Sequence, residues 1–187
     1  MGKHTNRRKT GLFGRAGALA RDERGATAVE FGLLALPFFT LVAAILQTSV
    51  VFLAGQVLES AVYDASRIIR TGEVRDMGNS LATFRSQVCG RLFGMFPDCS
   101  AMHIRVTEVN NFASAGVASP IDADCEGECA WNVDEAWTSG AGKSVMLVQV
   151  YYKYPIVLQF GALGVGNLPD GSRLLGTATV FQNEPFT

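Results

Sequence analysis

Apolar residues dominate one long stretch near the start of the sequence. The run from Phe31 to Leu58 has 28 residues and no charged side chain. A helix crosses a bilayer with about 20 apolar residues, whereas the apolar part of a cleaved secretory signal has about 7–15. The run therefore predicts a transmembrane helix that stays in the mature protein. Pro37 lies inside the run and predicts a kink or a loosened turn.

Beyond Leu58 the spacing of apolar residues changes from continuous to periodic. Charged side chains occupy the opposite face of this segment. The apolar residues recur at steps of three and four: Ala61, Val62, Ala65, Ile68 and Ile69. This period predicts that the helix continues as an amphipathic segment to about Arg70. Thr71 and Gly72 are a typical helix stop.

The rest of the chain predicts one more helix and a small sheet. Apolar spacing favours a helix over Ser80–Phe93, which Pro97 interrupts. Val-rich or alternating segments predict three strands: Met102–Glu108, Ser144–Tyr154 and Leu174–Gln182. The second of them suits a central position in a sheet. The segments 110–143 and 155–172 are predicted loops. The predicted fold class is α+β, in which the long N-terminal helix packs on an antiparallel sheet of about three strands.

Charge divides the chain at the apolar run. Residues 1–24 have seven Lys or Arg and two acidic side chains, whereas the chain beyond Leu58 has nine basic and fourteen acidic ones. Basic flanks stay on the cytoplasmic side of a membrane. We therefore predict a cytoplasmic leader (1–25), a membrane and amphipathic helix (26–71) and an exported α+β domain (72–187). This use of the basic residues argues against nucleic-acid binding.

All four cysteines follow the apolar run, and an even number in an exported domain favours disulfides. Three connectivities are possible. We favour the local one, Cys89 with Cys99 and Cys125 with Cys129. Free buried thiols in a cytosolic domain are the alternative, which the charge asymmetry disfavours.

A single carboxylate, Glu30, stands at the front edge of the apolar run, directly before Phe31. A carboxylate inside a membrane costs about 2.5–3.5 kcal/mol at the centre and less near the edge, so it needs a partner or a purpose. If the chain were cut after Gly25, the new ammonium of Ala26 would lie about one helical turn away. In a bundle, Glu30 of one chain could neutralise that ammonium on its neighbour and fix the axial register.

The residues at this junction resemble a known processing site. The string Gly25-Ala26-Thr-Ala-Val-Glu30-Phe31 resembles the cleavage site of type IVb pilins and pseudopilins. Extended to Pro37 and Phe38, it is similar to the TadE/TadG-like family of the tight-adherence (Tad/Flp) pilus machinery. The ending Ala178–Phe186 is similar to the Asn-Glu-Pro-aromatic end of TadE-like chains.

The resemblance implies a minor pilin-like subunit or an inner-membrane assembly factor for adhesive pili, with no enzymatic activity and no cofactor. It implies maturation at Gly25 and Ala26 by a prepilin peptidase, and assembly through Glu30 and Phe31. Its partners would be the membrane, other pilin or pseudopilin subunits and the Tad platform of the bacterial inner membrane, with the domain in the periplasm. The alternative is an uncleaved, signal-anchored periplasmic binding or scaffold domain.

Two acidic or thiol clusters imitate metal sites without completing them. Asp122, Asp124 and Glu126 with Gly127 match the front of a calcium loop, but Val133 occupies the closing position. Cys125, Cys129 and His103 are too few for a structural zinc site. We expect no metal, and we expect His103 to be a strand residue rather than a base.

Overall fold

The computed structural model describes residues 23–122, 124–158 and 164–186. The predicted basic leader lies outside the described residues except for its last three. Two compact units are present, Met1–Ala43 and Ala44–Thr187. The described part of the first is helical, and the second contains the sheet.

The first helix, α1, runs without interruption over Glu23–Arg70. It begins three residues before the predicted start at Ala26, and it ends where the Thr71-Gly72 signal predicts. Pro37 lies inside it without ending it, as membrane helices tolerate better than soluble ones. The hydroxyl groups of the apolar run all donate to the carbonyl four residues back, at 2.8–2.9 Å: Thr40, Thr48 and Ser49.

From Val51 onwards, one face of α1 is buried in the core of the second unit. The buried positions follow the predicted steps of three and four: Val51, Ala54, Leu58, Ala61, Val62, Ala65, Ile68 and Ile69. Three of them are alanines, and Ala54 and Ala65 have no exposed surface. Each larger side chain buried here contributes about 1.5–3 kcal/mol. The amphipathic segment of α1 therefore forms the helical layer of the domain.

The three predicted strands are present and form one antiparallel sheet. They are β1 (His103–Val109), β2 (Val145–Tyr154) and β3 (Arg173–Gln182), in the order β1-β2-β3. The fold is thus α+β, as predicted, with β2 in the centre. Its alternate residues from Met146 to Tyr154 belong to the same core as the buried face of α1.

The second helix, α2, covers only Leu81–Cys89, four residues less than predicted at its C-terminal end. Ser80 caps its start, because its side chain accepts a hydrogen bond from the N–H of Thr83 at 3.2 Å. After Cys89 the N–H groups of Arg91 and Leu92 donate to the carbonyl three residues back instead of four. Phe93 and Gly94 then have φ values of +51° and +72°, so the chain does not return to a helix. A disulfide joins Cys89 to Cys99 across this turn.

The predicted loop 110–143 contains a segment that extends the sheet. Val106 of β1 donates its N–H to the carbonyl of Ala136 at 2.8 Å and accepts from the N–H of Thr138 at 3.1 Å. This pairing covers the outer edge of β1, which an exposed strand would leave open to other chains. A second disulfide joins Cys125 to Cys129 in the same loop.

The Asn-Glu-Pro-Phe ending fastens the end of α1 to the loop before β2. The side-chain amide of Asn183 donates to the carbonyls of Ser139 and Ala141 at 2.9 and 3.0 Å. Glu184 donates its N–H to the carbonyl of Arg70 at 2.9 Å. The ring of Phe186 lies against Gly72, where an added Cβ would approach it to 2.9 Å. The motif that sequence resemblance singled out is therefore a structural latch.

We expect Gly72→Ala to destabilise the domain by about 2–4 kcal/mol. Its φ of +82° costs an L-residue about 1–2 kcal/mol, and the clash with Phe186 adds overpacking strain. Gly94→Ala is the matched control, because Gly94 has φ +72° and open space around it. Urea unfolding of the full chain in detergent micelles, followed by near-ultraviolet circular dichroism, measures both. Equal losses would contradict the latch.

One ion pair joins α2 to the loop beside β1. Arg85 Nη2 lies 2.6 Å from Glu135 Oε1, which also accepts the N–H of Ile104 at 2.9 Å. Partial burial alone would raise the pKa of the Glu135 carboxyl, but these two hydrogen bonds and the Arg85 charge hold the pKa below its ordinary value of 4.5. The charged carboxylate therefore stabilises the fold.

This shift gives a pH dependence with a definite sign. Because the folded pKa of Glu135 is depressed, its stabilisation is present above about pH 4.5 and is lost as the pH falls through the folded value. We expect Glu135→Gln to cost about 1 kcal/mol near neutral pH and to reduce the loss of stability on acidification. Glu128→Gln removes an exposed carboxylate and is the control. Urea midpoints at neutral and acidic pH measure the difference, and parallel acid curves for E135Q and the unmodified chain would refute it.

Candidate functional site: the N-terminal part of the long helix

The residues predicted for processing and assembly all lie in the first turns of α1. The helix begins at Glu23, so the Gly25–Ala26 peptide bond lies in its first turn. An added Cβ at Gly25 would meet nothing within 4 Å. Ala26 and Glu30 are four residues apart, a spacing that places both on one face of the helix.

The Glu30 side chain is exposed, and no ion pair within the described residues involves it. Phe31, directly after it, is 69% exposed. A carboxylate near a helix start also lies at the positive end of the helix dipole. This part of α1 therefore presents a carboxylate and an aromatic ring that the described residues leave exposed.

The helix that follows is apolar on every side. The first half of the apolar run exposes its large side chains on all faces, among them Leu33, Leu34, Leu36, Phe38, Phe39 and Leu41. A soluble helix hides such residues on one buried face, whereas a helix surrounded by lipid exposes them all round. By length and composition, the stretch from Gly25 to Arg70 is able to cross a membrane.

Burial divides the predicted 28-residue run into two parts with different surroundings. The first core residue on α1 is Val51. From Phe31 to Val50 there are 20 residues, which is the number a hydrocarbon-spanning helix needs. Residues Val51 to Leu58 have one face in the domain core, so only the first part has the full exposure of a membrane span.

Gln47 is a polar residue of the apolar run that the sequence argument did not single out. Its Oε1 accepts a hydrogen bond from the N–H of Leu158 at 3.4 Å, in the loop after β2. A side-chain amide within an uncharged run was the available signal, and Gln56 is the second amide of that run. Gln47 marks the level of α1 at which the domain first contacts the helix through a hydrogen bond.

Comparison with protein families finds a match to the same part of α1. The profile of the TadE-like protein family matches residues 25–67. This stretch of the chain is TadE-like. The match begins at Gly25, contains the whole candidate site and ends in the amphipathic part of α1, which confirms the resemblance predicted from the sequence. A TadE-like segment and a helix of this length fit a membrane-anchored, pilus-associated protein.

The match covers 43 of 187 residues, so the sheet and the α2 region lie outside it. No curated protein and no solved structure is significantly similar to the chain. Any functional conclusion about the chain therefore rests on α1 and on the geometry of the domain itself.

Outside the TadE-like segment, the residues with possible chemistry have structural surroundings. His103 is buried in β1, and its ring stacks on Trp131 with centroids 4.5 Å apart. The ammonium group of Lys153 also lies over the Trp131 ring, 4.8 Å from its centroid. Cys125 and Cys129 are bonded to each other. Within residues 23–122, 124–158 and 164–186, no three His, Cys, Asp or Glu side chains form a metal-sized cluster.

Proposed function

We propose that the protein is a minor pilin-like subunit, or an inner-membrane assembly factor, of a Tad/Flp-type adhesive pilus. The observation that carries this proposal is the TadE-like match over residues 25–67, whose first residue is Gly25 and which includes the exposed Glu30. In this role the protein is a substrate of a prepilin peptidase and has no catalytic function or cofactor of its own.

Cleavage after Gly25 would supply Glu30 with a charged partner, which it does not have among residues 23–122, 124–158 and 164–186. The α-ammonium of Ala26 would then stand at the start of a helix, where the dipole disfavours a positive charge. A carboxylate from a neighbouring helix would neutralise this ammonium. The same pairing would lower the free-energy cost of placing the carboxylate at the membrane edge. Because each pair joins two chains at one height, the pairing sets their axial offset.

Charge and disulfides support the direction of insertion. The basic leader favours a cytoplasmic N-terminus, and the acidic domain follows the membrane span. Disulfides such as Cys89–Cys99 and Cys125–Cys129 persist in the bacterial periplasm and are rare in the cytosol. We therefore propose a single-pass protein of the bacterial inner membrane with its α+β domain in the periplasm. Its neighbours would be other pilin-like helices and the Tad platform.

The rival role is an uncleaved, signal-anchored scaffold. The observation that favours it is that Gly25 and Ala26 both lie within helix α1. A peptidase acts on an opened chain, so cleavage requires the first turn of α1 to unwind. An uncleaved chain would keep its basic leader and would leave Glu30 without the Ala26 ammonium.

The two roles predict different N-termini. In its own bacterium, the membrane-extracted protein should start at Ala26 by intact mass, and Gly25→Leu should keep the leader because the bulky side chain blocks the cleavage position. Gly32→Leu is the matched control, since Gly32 lies in the same helix with nothing within 4 Å of an added Cβ. A start at Met1 or Gly2 in a cell that has the peptidase would establish the scaffold role instead.

Assembly should depend on the charge at position 30. We expect Glu30→Gln and Glu30→Ala to insert normally and to abolish pili, because the amine of the neighbouring chain loses its counter-charge. Glu59→Gln is the control, since Glu59 is the next carboxylate on the exposed side of α1 and lies beyond the apolar run. Alkaline extraction measures insertion, and the sheared surface fraction measures pili. Normal piliation of both Glu30 variants would refute the pairing.

A further inference from the structure

The loop that follows β2 presents apolar side chains to the outside of the domain. Val157 is 84% exposed and Leu158 is 40% exposed, although Ile156 beside them is buried in the core. The sequence has no charged residue from Tyr154 to Pro169. Loops that face water are usually rich in polar residues. An exposed apolar tip in an uncharged segment is therefore poorly matched to water.

The position of this loop relates it to the membrane helix. The N–H of Leu158 donates to Oε1 of Gln47 at 3.4 Å. The large apolar residues of α1 on either side of Gln47 are exposed as well: Ile45, Leu46, Val50 and Leu53. The exposed apolar tip of the loop thus lies at the level of α1 where these exposed apolar side chains are found.

Counting along the sequence places that level at the end of the membrane span. Counted from Phe31, the twentieth residue is Val50, so Gln47 falls in the last turn of a hydrocarbon-spanning helix. We propose that loop 155–158 dips into the bilayer leaflet on the domain's own side, with Val157 among the lipid chains. The proposal rests on the membrane anchoring in the proposed function but not on cleavage or on pilus assembly.

The polar groups of the loop fit a lipid surrounding. A backbone N–H in the hydrocarbon region is costly unless it is hydrogen-bonded, and the Leu158 N–H has the Gln47 side chain as its partner. The same bond also occupies Gln47, the one side-chain amide between Phe31 and Val50. Pro155 has no N–H to satisfy. The loop therefore meets lipid with part of its backbone already paired, and a lipid contact would hold the domain against the membrane at a second point besides α1.

Spin labels on the full chain test the depth of the loop. All four cysteines are in disulfides, so one added cysteine gives one labelled site. The test site is Val157→Cys and the lipid reference is Leu41→Cys, in the apolar part of α1. The water reference is Phe112→Cys, an exposed apolar residue. Phe112 follows the end of β1, where Val109 pairs with Val145 at the start of β2. The two ends of β2, Val145 and Tyr154, are about 30 Å apart, so the water reference lies far from the loop.

The labelled chains are placed in vesicles of phosphatidylethanolamine and phosphatidylglycerol, and their accessibility to oxygen and to a water-soluble nickel chelate is compared. We expect the oxygen-to-nickel ratio at position 157 to be several-fold above that at 112 and close to that at 41. Unchanged circular dichroism melts confirm that the labelled domains are folded.

Three other outcomes would overturn the inference. A water-like ratio at 157 with a lipid-like ratio at 41 overturns the loop insertion alone and leaves the membrane anchoring intact. Water-like ratios at both positions overturn the anchoring as well. Protection of the 157 label from both reagents, with dipolar broadening that grows as the protein-to-lipid ratio rises, would show that a second copy covers the loop instead of lipid.

Discussion

The domain depends on the packing of one stripe of α1 against the central strand. A three-stranded sheet cannot bury both of its faces by itself, and it needs a second layer. Here the layer is the helix from Val51 to Ile69, whose buried face belongs to the core that includes Val148 and Val150. The same helix contains the stretch that is long and apolar enough to cross a membrane. The position of the domain along α1 therefore also limits where such a span can end.

Both faces of β2 are covered, which explains its nearly continuous apolar sequence. Met146, Val148 and Val150 belong to the core with α1. On the other side, the hydroxyl of Tyr151 donates to the carbonyl of Ala118 at 3.4 Å and accepts from the amide of Gln149 at 3.2 Å. Loop 110–143 thus acts as a second cover. Burial raises the pKa of the Tyr151 phenol, which agrees with a covered position.

Sequence pattern predicted the parts of the fold that have a strict period. The continuous apolar run, the helical steps after Leu58 and the alternation of β1 each indicate one element, and these elements are present. The TadE-like segment was also recognisable, because Glu30 next to Phe31 at the start of an apolar run is an unusual combination. The early end of α2 was not predicted, since the left-handed conformation of Phe93 has no sequence signal as clear as a glycine's.

Long-range contacts set the features that the sequence left open. Composition shows no difference between Val50 and Val51, yet the second belongs to the core and the first does not. The Asn183 and Phe186 contacts join segments that are far apart in sequence, and no local period encodes them. The same holds for the bond between Gln47 and Leu158, which requires a loop 111 residues away.

The burial of one side of α1 from Val51 to Ile69 limits how neighbouring chains can pack. That side is occupied by the domain over about five turns, so neighbouring helices can approach this part only from the opposite side. The opposite side bears Phe52, Tyr63 and the charged residues Glu59 and Asp64. Beyond the membrane, the chain therefore has a front and a back, and any array of identical copies has to accommodate this asymmetry.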